Sequence, residues 1–280
     1  MKLSNVLKKV GMISLAALAI ASCKGTSTFG HGGDLDKILS SKTLVVGTEA
    51  TYAPFEYTDT KGNVLGYDVD VMGLVGDAIN AKYNTTVKVV FKNQTFDSLI
   101  TSLNANQIDL IAAAFSITDE RKKSVEFSTP YFTAESTVVV KDTDTTITSM
   151  DALKAAVCGA QLGTVQGDTI SSTKDGWNKD NKTLTSVSDL VLALQSGTIQ
   201  ALVVEKPVAQ SIIAKQSGLK IVDKTKIDFD DAGDYGIATN YTTGDSLIAI
   251  VNEVIATNTA NGKLTTLYEE AASKAAGSNA

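Results

Sequence analysis

The sequence predicts an α/β fold, arranged as two lobes or one large domain, and three features carry that reading. Apolar stripes at helical spacing alternate with short uninterrupted apolar runs, the pattern of helices packed on buried strands. One helix-then-strand unit recurs 91 positions after its first appearance. Each run ends in small and polar residues, and in open α/β sheets ligands gather beyond the carboxyl ends of the strands.

The first element is an address label. Residues 1–22 carry lysines at positions 2, 8 and 9, an apolar run over 10–21, and small residues directly before a cysteine. That is an export signal, too short to span a membrane. Its tail "IASC" resembles the lipobox of bacterial lipoproteins, which makes Cys23 the acylated first residue of the mature chain and its lipid anchor to a membrane of the cell envelope. Residues 23–41 read as a flexible tether, because "KGTSTFGHGGD" is small, polar and glycine-rich. The sole histidine, His31, lies there, which argues against histidine catalysis and a histidine metal site. No cofactor is called for.

Without residues 1–22 the chain keeps 22 basic residues against 31 acidic ones, a formal charge of −9. An acidic chain without basic runs is a poor candidate for nucleic acid. Once Cys23 is acylated, Cys158 has no cysteine left to pair with; in "KAAVCGAQLG" it reads as a small buried core residue.

The α/β elements follow in order. "TLVVGTEATYAPFEY" gives a strand through Val45 and Val46, then a loop exposing Glu49 and Tyr52, with Pro54 stopping regular structure. In "FDSLITSLNANQIDLIAAAF" a helical stripe of Phe96, Leu99, Ile100 and Leu103 precedes a buried strand over 108–115. "AAVCGAQLGTVQGDTI" gives a strand to about Gln161, then Gly163, Thr164, Gln166 and Gly167. In "VSDLVLALQSGTIQALVVEKPVA" the stripe is Val187, Leu190, Val191 and Leu194, the turn carries Gly197, and the strand covers 199–204. Any α/β protein repeats helix then strand, so the useful content is the register: Ala114 and Glu205 fall at the carboxyl ends of equivalent strands. Four such ends, two per lobe, would face one another across a cleft.

The stretch "SITDERKKSVEFSTPY" carries the one arginine of the sequence, Arg121. Thr118 fits a helix N-cap, with Asp119 and Glu120 in the first turn and the bases after them, as the helix dipole favours. An ordinary stable helix explains that much. It does not explain an arginine beside a strand end, where its fork and the Ser116 hydroxyl make a site for a carboxylate-sized anion.

The runs "GTEATYAPFEY", "GYDVDVM", "AAAFSITDERKKSVEFSTPY", "QLGTVQG", "VVEKPVA" and "YGIAT", in this order and spacing over about residues 44–267, resemble the polar amino-acid binding proteins of ABC transporters, a subgroup of the type II periplasmic solute-binding family. The resemblance implies two Rossmann-like lobes joined by a two-strand hinge: 42–133 with 238–280, and 134–237. The ends of "YFTAESTVVV" and "YGIAT" would form the hinge. It implies a free amino acid as ligand, an ABC permease as partner, no catalysis, and a monomer.

Carried over position by position, Arg121 holds the ligand's α-carboxylate with Ser116 and the backbone of Ala114, where relatives usually have glycine or serine. Glu205 takes the α-ammonium, most often an aspartate's task. Thr164 and Val165 bond the carboxylate from the second lobe, valine through its amide alone, so Thr164 and Gln166 carry more. Gln161 lines the same strand end. Tyr52 and Phe96 sandwich the side chain, plain core packing being the other reading for Phe96. Glu49 decides the charge: it favours lysine, arginine or a related cation, then neutral polar ligands such as glutamine, and repels acidic ones. Two other classes are open, an enzyme of the same fold related to dehydratases, with Glu205 or Glu49 as acid or base, and a surface protein with an adhesive or signalling role.

Overall fold

The computed structural model describes residues 34–229, 232–241 and 245–277. The export signal, Cys23, His31 and most of the tether lie outside them. The tether's last stretch does not behave as the composition suggests. Asp34–Ser41 is a helix whose Leu35 and Ile38 are fully buried, packed on the strand Thr43–Thr48 and the helix Asp245–Ala260. Glycine-rich composition ends at Gly33, and two apolar residues one turn apart then suffice to seat a helix on the core.

Two sheets organise the rest. The first has the order Lys88–Asn93, Thr43–Thr48, Leu110–Ile111, Ala238–Asn240, Val125–Phe127. Its first three strands run parallel, and Ala238–Asn240 runs against both neighbours. The helices Tyr67–Tyr83, Asp245–Ala260 and Lys263–Gly277 pack together on this side. The second sheet has the order Lys182–Leu184, Cys158–Gln161, Ala201–Glu205, Phe132–Lys141, Leu219–Ile221. A small antiparallel meander, Thr51–Tyr52, Glu56–Thr58 and Val64–Leu65, stands at the end of the first sheet's leading strand.

The long strand Phe132–Lys141 links the two halves. From Ser136 onward it belongs to the second sheet. Its first four residues pair antiparallel with Ala232–Tyr235, from Phe132 opposite Tyr235 to Glu135 opposite Ala232. Both partners lead directly into first-sheet strands, one back to Val125–Phe127 and the other on to Ala238–Asn240. The halves are thus joined by a two-stranded ribbon, where the sequence located its hinge.

The helix Val187–Ser196 forms as its stripe predicts. Val187, Leu190, Val191 and Leu194 are buried, the Ser186 hydroxyl accepts the Asp189 amide at 3.1 Å, and Gly197 ends the helix at φ 84°. Each such aliphatic side chain contributes about 1.5–3 kcal/mol on burial. Cys158 is fully buried at a strand start, and burial pushes its thiol up to about 12, so it is an inert core residue.

Three local expectations change. The apolar run 108–115 is a strand only at Leu110–Ile111; the chain then leaves the sheet, and Ala114 sits at φ 44°. The helix predicted after Thr118 is a single 3₁₀ turn, Arg121–Lys123, with Glu120 at its N-cap position; the Thr118 hydroxyl accepts the Arg121 amide at 3.1 Å. The loop after the first strand exposes neither Glu49 nor Tyr52; each is only 5% exposed, because the meander folds back and the other half covers them. Among the described residues no helix is long and apolar enough to cross a membrane.

Candidate functional site

The strand ends named from sequence meet where the two halves face each other. Thr43–Thr48 delivers Glu49, and the adjoining meander delivers Tyr52. The loop after Leu110–Ile111 delivers Ala114, Ser116 and Arg121. From the other half, Cys158–Gln161 delivers Gln161, Thr164 and Val165, and Ala201–Glu205 ends on Glu205.

Arg121 reaches across the junction. One guanidinium nitrogen donates to the Ser116 carbonyl at 2.7 Å and the other to the Gly163 carbonyl, on the opposite half, at 2.9 Å. The guanidinium lies over the Phe115 ring at 4.1 Å and near the Phe96 ring at 5.3 Å. Such stacking holds the fork flat while its remaining N–H groups stay available. Burial lowers Arg121 to about 10, partly offset by Asp168, so it stays charged at neutral pH.

Further contacts span the junction, among them the Val187 amide donating to the Thr51 hydroxyl at 3.3 Å. Gln161 donates its side-chain amide to Glu49 at 2.9 Å and also to the Thr185 carbonyl at 3.1 Å. The Tyr52 hydroxyl donates to the Glu205 carboxylate. Glu49 also accepts from the Thr51 hydroxyl at 2.9 Å; burial raises its pKa, and the Gln161 and Thr51 hydrogen bonds pull it back. Gly163 also comes close to the other half. At φ 81° it suits glycine, and a Cβ there would stand 3.0 Å from the Cβ of Asp97 on the other half.

The remaining predicted residues have mixed duties. Thr164 caps the helix Val165–Ser171: its hydroxyl accepts the Gly167 amide at 3.0 Å and gives its hydrogen to the Gln161 carbonyl at 2.7 Å. Gln166 donates to the Ser136 hydroxyl at 2.9 Å. Ser116 is buried and meets Tyr235 in an isolated bridge. Phe96 packs on Phe115 with centroids 5.5 Å apart, so it is a core residue and a floor beneath Arg121 at once.

Sequence reasoning passed over a second layer. Asp68, fully buried at the start of the helix Tyr67–Tyr83, accepts the Ala114 amide and the Tyr131 hydroxyl, each at 2.8 Å. Burial raises it to about 7. It therefore holds the left-handed turn at Ala114, and with it the approach to Ser116 and Arg121. Glu56, opposite Tyr52 in the meander, is fully buried too. Both lie in quoted runs, "GYDVDVM" and "APFEY", whose acids look like solvated charges until their burial is known.

A guanidinium fork on one half and a carboxylate end on the other, meeting over a ribbon hinge, suit a molecule that closes around a small dipolar ligand; the fold is that of a two-lobed periplasmic binding protein. The model of the bacterial extracellular solute-binding proteins, family 3, matches residues 44–273, and the chain belongs to that family. It is 33% identical to the arginine-binding periplasmic protein of Mannheimia haemolytica, over 81% of this chain and 90% of that one. It is 32% identical to a probable histidine-binding protein of Campylobacter jejuni, over 74% and 77% of the two chains. It superposes with a TM-score of 0.78, at 28% identity, on an amino acid ABC transporter substrate-binding protein from Streptococcus pneumoniae bound to L-arginine, covering 87% of this chain and all of that one. The protein is thus an extracytoplasmic, non-enzymatic amino-acid-binding component of an ABC transporter.

Proposed function

We propose that the protein captures a basic amino acid, arginine or lysine, and hands it to an ABC permease while tethered through an acylated Cys23. The observation that carries this reading is the charge pattern at the junction: one guanidinium, Arg121, against the buried carboxylates of Glu49 and Glu205. An α-carboxylate on Arg121 and an α-ammonium on Glu205 leave Glu49 for a third, positive group. A zwitterion loses hydration at both ends on entering a closing cleft, which costs several kcal/mol per charge unless each meets a hydrogen-bonded partner. The name of the Mannheimia relative and the arginine in the Streptococcus structure support the same class.

Sheet membership supports lobes of 42–133 with 238–280 and of 134–237, the segment 34–41 joining the first. Ligand contacts from both lobes favour the closed form, and the ribbon is the hinge. Glutamine is the second reading, because Glu49 already accepts from a neutral amide, that of Gln161.

A thermal-shift panel of the twenty amino acids with ornithine and citrulline tests the proposal, since a ligand that binds the folded state raises Tm by mass action. Arginine or lysine is expected to give the largest rise, and Arg121→Ala to abolish it while the free protein stays folded. A shift retained in Arg121→Ala would remove the carboxylate role.

A further inference from the structure

Thr51 does two things at once at the junction. Its hydroxyl donates to the carboxylate of Glu49, 2.9 Å from either oxygen, and accepts the amide of Val187, on the other half, at 3.3 Å. Val187 is the first residue of the helix Val187–Ser196, whose cap, Ser186, accepts the Asp189 amide instead. The first amides of a helix have no partner within it, so Thr51 supplies from one half an acceptor that a helix of the other half lacks. A second path joins the same two places. Gln161 donates to Glu49 at 2.9 Å and to the carbonyl of Thr185, which stands just before the Ser186 cap, at 3.1 Å. Glu49, Thr51, Val187, Thr185 and Gln161 thus form a closed circuit across the junction, with the Glu49 carboxylate accepting from both halves.

We infer that Thr51 is a positioning residue through which the second half reads the charge on Glu49, so that a cation held there also favours closure. The inference rests on the reading of a basic amino acid and adds the route by which its side chain acts on the hinge motion. A hydroxyl has one hydrogen to give. While Glu49 is ionised, that hydrogen is committed to the carboxylate and the lone pairs of the oxygen are left for Val187. The chain from amide to hydroxyl to carboxylate is then polarised along its length, which strengthens the contact between the halves. A protonated Glu49 has a hydrogen of its own to place; the Thr51 hydroxyl loses its fixed direction, and the Val187 amide meets a weaker acceptor. Burial works against an ionised Glu49, and Glu56 is an acidic neighbour. A ligand cation beside Glu49 offsets both, and a neutral side chain does not. Thr51 and Gln161 leave room for it, since an ionised carboxylate accepts about four hydrogen bonds.

Titration calorimetry on wild type, Thr51→Val and Thr51→Ser tests this, comparing L-arginine with its uncharged isostere L-citrulline, or L-lysine with L-norleucine should lysine bind more tightly. Weak ligands are measured by displacement. Thr51→Val keeps the shape of the side chain and removes the hydroxyl. It is expected to weaken the cationic ligand about tenfold and the neutral one about twofold or less, as loss of a hydrogen bond to a charged group predicts. Thr51→Ser keeps the hydroxyl and is expected to hold the cationic ligand within about threefold of wild type. An unchanged affinity for the cation in Thr51→Val, an equal loss for both ligands, or an equal loss in Thr51→Ser overturns the inference and leaves the basic-ligand reading standing. A wild type that binds neither arginine nor lysine overturns both. Thr51 is half-buried on the meander, so Thr51→Val is expected to keep the Tm of the free protein; were it not to fold, Thr51→Ala with the same two ligands decides.

Discussion

Arg121 shows how far one residue can be read. Its singularity in a lysine-rich chain pointed to forked recognition, and the guanidinium does bridge two carbonyls from opposite lobes. Glu205 does close its strand, Ala201–Glu205, but Ala114, its counterpart in the repeat, lies beyond Leu110–Ile111 in a left-handed turn, so register alone located only one of the two strand ends. Asp68 was not legible, because an acid in the first turn of a helix ordinarily sits in water beside the dipole. Here it is buried and holds the Ala114 amide, which gives a testable pH dependence. Its pKa rises from an ordinary 3.8 to about 7, so the folded state keeps its proton longer than the unfolded one. That stabilisation is complete below 3.8 and lost as pH rises through about 7. Thermal melts are expected to show wild type losing stability relative to Asp68→Asn across that window. A constant difference between the two proteins would contradict the buried, protonated state.

At the scale of elements, legibility depended on whether a pattern implied its own backbone. The helix Val187–Ser196 was readable throughout, since stripe, cap and terminal glycine agree. The apolar run 108–115 was not, because hydrophobicity reports burial and is blind to the φ of 44° at Ala114. The helix Asp34–Ser41 was hidden by the glycine-rich segment before it. Gly163 tests how the elements meet. Alanine there adds strain of about 1–2 kcal/mol for the left-handed conformation and a Cβ facing Asp97 across the junction. Gly163→Ala is expected to remain folded, by circular dichroism, and to bind its amino acid about tenfold more weakly because closure is obstructed. Full affinity would mean that the lobes do not approach there when ligand is held.

At the scale of the molecule, two sheets on a two-stranded ribbon turn several modest contacts into one closing motion. The Arg121 to Gly163, Gln161 to Glu49 and Tyr52 to Glu205 contacts all join one lobe to the other. Shifting such an equilibrium from 1% to 99% closed takes about 5.5 kcal/mol of differential binding, more than one exposed hydrogen bond supplies. In the proposed reading, a ligand whose α-carboxylate meets Arg121 and whose α-ammonium meets Glu205 supplies it. The most direct test of the account is a calorimetric titration of L-arginine, L-lysine and L-glutamate into the wild-type protein. The account predicts saturable one-to-one binding of a basic amino acid and no measurable binding of glutamate. Saturable glutamate binding without binding of arginine or lysine would contradict it.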